Sequence, residues 1–330
     1  MTMQRRGVAL TPMETRHDTI LRTAQLADEL GYEAFALAEG WGLDATLMLT
    51  EVALRTRGIK LVSGILSVWG RTPGTLAMTA ATLHQLSGGR FVLGLGPSTK
   101  ALVEGFHDVS FVHPADKLRE VTTKVRALLA GERALLDATP GTRPLCLGQA
   151  AVPDLPVWLA AMGDRTVRVA AELADGWFPY MVARDHVTDR VPTLRKEREA
   201  AGLRSGPLTV VAGPMTVATD DAAVARRISA SCIAWYLCAM GDVYARFVTE
   251  QGYGGAVQAI LEANPRPRPE SGVVPAEAQA VLDQFAAHGT PSQVRDQLAV
   301  WDGAVDLAMI GLPPGLPWAT IEATLRAAAP

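Results

Sequence analysis

The strongest constraint on this chain is a serial alternation of short, almost wholly apolar runs with longer stretches of helical periodicity. Gly7 to Leu10 is the first apolar run. Glu14 to Leu30 follows, with Ile20, Leu21, Ala24, Leu26, Ala27 and Leu30 at helical spacing, and Gly31 is a natural residue to end it. Glu33 to Ala38 is the second run; the turn Glu39-Gly40-Trp41-Gly42 closes it, and Asp44 can cap a helix reaching Thr56. Lys60 to Leu66, a loop from Ser67 to Arg71 and a helix from Pro73 to Leu86 make the third unit. Phe91 to Leu95, with a helix near Ala115 to Ala130, is the fourth. Strands that are apolar almost throughout belong to a parallel sheet covered by helices on both faces.

The regularity lapses from Gly131 to Asp154, where Pro140, Gly141, Pro144, Gly148 and Pro153 suggest an excursion such as a hairpin. It resumes with Val157 to Ala161 and a helix from Asp164 to Ala174, then Gly176 to Tyr180 and a helix from Arg184 to Ala201. Leu208 to Val217 reads as the seventh strand. A helical region from Asp220 to Gly254, a Pro-rich patch (Asn264 to Pro275) and helices at Ala276 to His288 and Ser292 to Trp301 come next. Asp306 to Gly311 is the eighth strand and Trp318 to Ala328 the last helix. Eight units point to an α/β fold, a (β/α)8 TIM barrel, as one domain over residues 1–330 with insertions near 131–155 and 241–290. An open doubly wound sheet is the other architecture such an order allows.

A chain of 330 residues that is 48% hydrophobic and 20% charged can bury a core of that size. Its formal charge of −3, with Lys and Arg scattered, offers no footprint for nucleic acid or an anionic membrane, which leaves a small-molecule or peptide-like partner. Three cysteines, Cys146, Cys232 and Cys238, form no CxxC pair, and no His cluster stands at zinc spacing, so no metal is expected and a reducing cytoplasm fits. The run Val8 to Leu10 after Arg5-Arg6 is too short for a signal-peptide core, and no later run reaches a membrane span of about 18 apolar residues. A cytoplasmic protein is the expectation.

In a barrel the functional residues sit just after the strands. The sharpest such stretch is Ser87 to Lys100, SGGRFVLGLGPSTK, a strand opening on a glycine-rich corner. A dinucleotide fingerprint would need a third glycine where Thr99 stands. Pro97 also removes an amide, and the stretch falls in the fourth unit rather than the first. No Walker A, HExxH or GxSxG run occurs either.

Several blocks together carry a resemblance: Glu39-Gly40-Trp41-Gly42; Ser63 to Leu66 leading to Arg71-Thr72-Pro73 and Ala77-Met78; Leu86 to Ser98; and Val103 to His107. Trp158 to Gly163 with Ala174 to Trp177, and Ala286 to Val294 with Asp306 to Gly311, extend it over nearly the whole chain. The sequence resembles the bacterial luciferase-like monooxygenase superfamily, and within it the branch that uses the deazaflavin coenzyme F420.

That resemblance implies a barrel holding a flavin-like ring at its strand ends. It places a non-prolyl cis peptide at Gly64-Ile65, beside Ser63, against the back of the ring; the plain alternative is a glycine relaxing a crowded strand end. It puts Ser67 and the corner Gly96, Pro97, Ser98 near the ring, or else in ordinary turn chemistry. It sets the cofactor phosphate at Met162, Gly163, Asp164 and Arg165, where a helix start suits an anion and the Asp164 carboxylate would cap the helix. Glu39 is the candidate acid or base, since partial burial would suit it to proton transfer, with a solvated loop carboxylate as the alternative. His107 is a second proton donor, or a structural loop histidine. Trp41, Trp69 and Trp177 would wall the substrate, while Trp158 belongs to the core.

In the family's sugar-phosphate dehydrogenases a His follows the strand-two acid and a Glu follows the glycine corner; Gly40 and Thr99 stand there here, which argues against that reaction. Lys100 and Arg165 could attract an acidic cofactor tail or simply be solvated. The expected activity is hydride transfer from reduced F420 to a C=C or C=N group. The alternatives are a monooxygenase using reduced FMN and oxygen, and a cofactor-free binding paralogue. The apolar segment Ser229 to Tyr244 is either a homodimer face or core.

Overall fold

Strands whose side chains are apolar on both faces can only be satisfied inside a layer of helices, and the observed architecture is that arrangement closed on itself. The computed structural model describes residues 4–202 and 206–330. β1 (Arg6–Leu10) leads to α1 (His17–Glu29), β2 (Ala34–Leu37) to α2 (Ala45–Arg55), and β3 (Lys60–Ser63), continued by β4 (Leu66–Ser67), to α3 (Pro73–Leu86). β5 (Phe91–Gly96) precedes the short α4 (Lys100–Gly105) and α5 (Pro114–Leu129); β6 (Val157–Leu159) precedes α6 (Asp164–Leu173), and β7 (Gly176–Trp177) precedes α7 (Arg184–Ala201). β8 (Thr209–Ala212) and β9 (Met215–Ala218) are followed by α8 (Ala222–Ala239) and α9 (Asp242–Val248). A π-helical turn over Thr249–Tyr253 then leads into α10 (Gly254–Ala263). A 3-10 turn, Ala276–Ala278, precedes α11 (Gln279–Phe285) and β10 (Ala286–Gly289); α12 (Pro291–Asp302), β11 (Leu307–Leu312) and α13 (Trp318–Ala327) complete the chain.

All pairings are parallel, in the order β1-β2-β3-β5-β6-β7-β8-β11, and β11 returns to β1 in a register running from Arg6 opposite Ala308 to Leu10 opposite Leu312. The sheet is therefore a closed eight-stranded barrel inside a ring of helices. Alternate side chains separate into two layers. Ala34, Ala36, Val62, Val92, Trp158, Val211 and Met309 pack together in the barrel interior. Their neighbours Phe35, Leu37, Leu61, Leu93 and Ile310 pack under the helices. Trp158 is core, as expected.

The block before β5 is held by its arginine. Arg90 donates to the carbonyls of Ser87, Ile59 and Ala53, each at 2.8 Å, tying the end of α2 to the starts of β3 and β5. Asp44 caps α2 by accepting from the Thr46 amide at 2.9 Å.

Three expectations are corrected. The stretch from Leu208 to Val217 is not one strand: it breaks at Gly213-Pro214, where a Cβ on Gly213 would lie 2.3 Å from the Met309 carbonyl oxygen, so the chain must pass β11 as bare backbone. The helix read over Ala276 to His288 ends at Phe285, and Ala286–Gly289 is β10, paired with β9. The stretch from Gly131 to Asp154 forms no hairpin; it carries neither helix nor strand. For the Ser229 to Tyr244 segment the core alternative holds: Cys232, Ile233, Tyr236 and Leu237 are buried in a second core with α10 and α11. Among the described residues no single helix is long and apolar enough to cross a membrane. The bent pair of α8 with the stretch through α10, which passes on composition, turns by 112°.

Candidate functional site

Every strand end of the barrel contributes to one cavity of about 510 Å3. β1 supplies Thr11 and Pro12; β2 supplies Glu39, Gly40 and Trp41; β3 supplies Gly64 and Ile65. From β5 come Gly96, Pro97, Ser98 and Thr99, and from β6 come Ala160, Met162 and Gly163 with Asp164 and Arg165 behind them. Phe178 and Tyr180 follow β7, Met215 opens β9, and Met309 and Gly311 lie on β11. The insertion closes the far side with Tyr236 from α8 and Tyr244 and Phe247 from α9.

The wall at β3 and β5 is built from Gly64, Ile65 and Gly96. The Gly64–Ile65 peptide is cis. Across from it, a Cβ on Gly96 would stand 3.0 Å from Ile65 Cγ1 and 3.1 Å from the Ala160 Cβ, so glycine there makes room for those two side chains to close on the strand end. One pair of strand residues earlier the approach is closer still: a Cβ on Gly94 would overlap the Ser63 carbonyl at 1.8 Å. Ser63 Oγ donates to the Gly94 carbonyl at 3.0 Å and accepts from the Gly94 amide at 2.8 Å, which locks β3 to β5 directly beneath the cavity.

At β6 the first turn of α6 faces the cavity. The Thr166 amide turns back to the Gly163 carbonyl at 2.9 Å, which leaves the amides of Asp164 and Arg165 at the positive end of the helix dipole. The cap residue is Gly163, not Asp164. Asp164 lies in the first turn and makes no capping bond, so the carboxylate cap expected there is absent. Arg165 is 72% exposed and donates to Asp116 at 3.0 Å, so it reaches the cavity rim already paired with an acid. Lys100 is exposed beside Glu104 and does not line the cavity.

Glu39 reaches the wall, but as an ion pair rather than a free carboxyl. Arg71 donates from both guanidinium ends to the two carboxylate oxygens, one bond being 2.8 Å, and the Ala45 amide donates to Oε2 at 3.1 Å. Arg71 also reaches Asp44 Oδ2 at 3.1 Å. Its guanidinium is raised above its ordinary value, chiefly by the hydrogen bond with Glu39.

Several expected site residues face elsewhere. His107 is outside the cavity lining; it lies over Gly70 and stacks edge-on against Phe106. Trp177 is fully buried in the outer core, its Nε1 donating to the Ala161 carbonyl at 2.8 Å, because β7 turns it toward the helices and Phe178 inward. Trp69 packs on Phe111 and beneath Lys117, again off the lining. Ser63 is a strand strut, and Ser67 is a buried turn residue accepting from the Trp69 amide at 3.2 Å. Of the three tryptophans read as a substrate wall, only Trp41 lines the cavity, 47% exposed at its mouth.

Reading the sequence by strand ends reaches Tyr180 but misses its partners in a tyrosine wall, Tyr236 and Tyr244. Tyr180, Tyr236 and Tyr244 meet in mutual edge contacts with ring centroids 5.0, 5.8 and 5.6 Å apart. They are three of only five tyrosines in the chain, yet they stand on three different elements, and no local pattern links them.

The model of the luciferase-like monooxygenase family matches residues 1–306. A Mycobacterium tuberculosis protein provisionally named a coenzyme F420-dependent oxidoreductase is 32% identical over 312 residues, covering 84% of this chain and 86% of that protein. The coenzyme F420-dependent tetrahydromethanopterin reductase of Methanopyrus kandleri superposes with a TM-score of 0.78 at 22% identity, over 98% of this chain and 97% of that one. The oxygenating component of 3,6-diketocamphane monooxygenase from Pseudomonas putida, solved with FMN, has a TM-score of 0.72 at 15% identity over 99% and 98% of the two chains. With a cavity at the strand ends of a closed barrel and a family model that matches residues 1–306, the chain belongs to the luciferase-like monooxygenase family of enzymes.

Proposed function

We propose that the chain is a coenzyme F420-dependent oxidoreductase that reduces a C=C or C=N group of a small organic molecule. The observation that carries this reading is the tight floor of the cavity, where Gly64, Ile65 and Ala160 close on Gly96. A flat tricyclic ring needs such a floor, and a single Cβ would spoil it. The residues present fit the group. Backbone at Gly64, Ile65 and Gly96 to Ser98 would lie against the ring. The α6 start at Gly163, with Arg165, would take the phosphate, since free amides and a helix dipole favour an anion. Bound reduced deazaflavin supplies a hydride to an electron-poor carbon.

The protein's own share is position and dryness. Phe178, Met215, Met309 and the three tyrosines exclude water from the volume facing the floor. Glu39, fixed by Arg71 and the Ala45 amide, holds the turn after β2 against that volume, and the same turn carries Trp41 at the mouth. The F420 name of the M. tuberculosis relative supports deazaflavin over flavin. The fold shared with the FMN-bound oxygenase supports the second reading, a monooxygenase using reduced FMN and oxygen.

Titration of the purified chain with F420 and with FMN, followed by cofactor fluorescence, separates the readings. Saturable binding of F420 at least about tenfold tighter than FMN, a difference of about 1.4 kcal/mol, with anaerobic turnover of the reduced form, is the expected result. Preference for FMN with oxygen consumption would establish the second reading, and binding of neither would leave a cofactor-free binding protein.

A further inference from the structure

Six buried side-chain polar atoms lack a hydrogen-bond partner among the described residues, and two of them, Thr11 Oγ1 and Tyr180 Oη, belong to residues lining the cavity. An orphaned buried hydroxyl is costly, so two in the lining of one cavity call for an explanation. Tyr236 faces both of them. Its hydroxyl is close enough to interact with Tyr180 and with Thr11, yet neither contact reaches hydrogen-bond geometry. The three hydroxyls therefore form a cluster, supplied by β1, the loop after β7 and α8, in which donors outnumber satisfied acceptors.

The surroundings fix what this cluster can receive. Tyr244, Met215 and Met240 pack around it. The charged residues of the lining are held elsewhere: Glu39 is clamped by Arg71 after β2, Asp164 and Arg165 head α6, and Arg246 and Glu250 are mostly exposed. An ionised group brought to the tyrosines would lose its hydration with no countercharge to replace it. A neutral acceptor, by contrast, gains the hydrogen bonds the cluster cannot make internally. Burial raises the Tyr180 and Tyr236 hydroxyls well above the ordinary phenol range, which keeps them protonated as donors.

We propose that Tyr236, with Tyr180 and Thr11, is the polar end of the substrate pocket, and that it selects uncharged, largely apolar molecules carrying one carbonyl-type hydrogen-bond acceptor. This rests on the reading of the cavity as a substrate site. It does not require deazaflavin in particular. The role is one of binding and specificity, and no proton leaves the tyrosines.

The test uses the full chain with three matched probes: benzophenone, diphenylmethane and 2-benzoylbenzoate, followed by intrinsic tryptophan fluorescence with and without F420. The wild type is expected to bind benzophenone roughly tenfold tighter than diphenylmethane, the scale of one added hydrogen bond, and to bind the carboxylate more weakly than either. Tyr236→Phe, which keeps the ring packing, should bring the two neutral probes together while binding of diphenylmethane and melting temperature hold. Tyr180→Phe should give a smaller loss of the same kind. If the wild type shows no preference for the ketone, or if Tyr236→Phe retains it, the proposal is overturned. A ketone preference in a chain that fails to bind F420 sinks the cofactor reading and leaves this one standing.

Discussion

The guanidinium of Arg71, at the end of the loop after β4, grips both carboxylate oxygens of Glu39, at the end of β2. Two neighbouring barrel strands are thus braced above the sheet as well as within it. Both side chains are mostly buried, 16% and 13% exposed, so each is solvated mainly by the other.

Removing one member should cost more than removing both. Arg71→Met leaves the Glu39 carboxylate without its main partner and is expected to destabilise by about 1 to 3 kcal/mol, below the range for fully buried pairs. Arg71→Met combined with Glu39→Gln should recover part of that loss. Urea unfolding of the two single variants and the double gives the coupling, expected to be at least about 1 kcal/mol. Additive losses would mean the brace carries no energy of its own.

Gly94 and Gly96 are two residues apart on one strand and should respond differently. Gly94→Ala drives a Cβ into the Ser63 carbonyl at 1.8 Å, and both Ser63–Gly94 hydrogen bonds must break for β3 to move away. Loss of at least about 3 kcal/mol, or failure to fold, is expected. Gly96→Val meets side-chain atoms of Ile65 and Ala160 at 3.0 to 3.1 Å, which can shift, and then fills the cavity floor. It should melt within about 5 °C of the wild type while losing cofactor affinity by roughly tenfold or more, as expected where about 1.4 kcal/mol of contact is lost. Unchanged affinity in the Gly96 variant would return this corner to ordinary turn chemistry.

His107 gives the opposite expectation. It sits outside the cavity against Gly70, so His107→Ala should leave cofactor affinity and turnover within about twofold of wild type, as for a substitution away from the site. A pH-rate profile that loses a limb in this variant would show that the histidine reaches the reacting atoms after all.

The reach of the sequence differs between scaffold and site. Runs such as Phe91 to Leu95 announce parallel strands because residues on both their faces are buried, and no polar alternation blurs them. Ala286–Gly289 escaped because it has no β-branched or aromatic residue. Val281, Leu282 and Phe285 also set a helical period that Ala286 continues. Within the site, strand ends were legible from fold geometry alone, which is how Gly96 and Gly163 were placed. Which way a side chain turns is another matter. Trp177 and Phe178 are adjacent and both aromatic, but the pleat sends one to the helices and the other to the cavity. The tyrosine wall depends on how an insertion folds back, and nothing local encodes that.

Glu33 ties acid stability to a surface network. The hydrogen bond from Arg5 is the main cause lowering its carboxyl to about 2; burial opposes the shift and Lys60 assists it. A depressed folded-state value means the stabilisation is present above the ordinary carboxylate range near 4.5 and is lost as pH falls toward 2. Arg5 is half exposed, so screening reduces the gain to about 1 kcal/mol. Denaturant curves should show Glu33→Gln weaker than wild type at pH 7, with the difference shrinking steadily as pH falls from about 4.5 toward 2. A difference independent of pH would assign the effect to packing.

Gln251 is the residue through which the insertion fixes the tyrosine cluster. It lies in the π-helical turn and accepts from the Ala183 amide at 2.6 Å, while its Nε2 donates to the carbonyls of Met181 and Phe247, both at 3.1 Å. Met181 has φ of 52°, a left-handed conformation that a side-chain-bearing residue adopts only when its surroundings hold it there. These bonds are what hold it, one residue beyond Tyr180. Gln251→Leu removes all three, so the loop over 178–183 should relax and Tyr180 should leave its place between Tyr236 and Tyr244. Amide exchange in that loop is expected to accelerate by about tenfold, the effect of losing about 1.4 kcal/mol locally. Exchange in α12 and β11, remote from the contact, should be unchanged. Unaltered protection of the loop would show that packing of the aromatic rings alone holds Tyr180 in position.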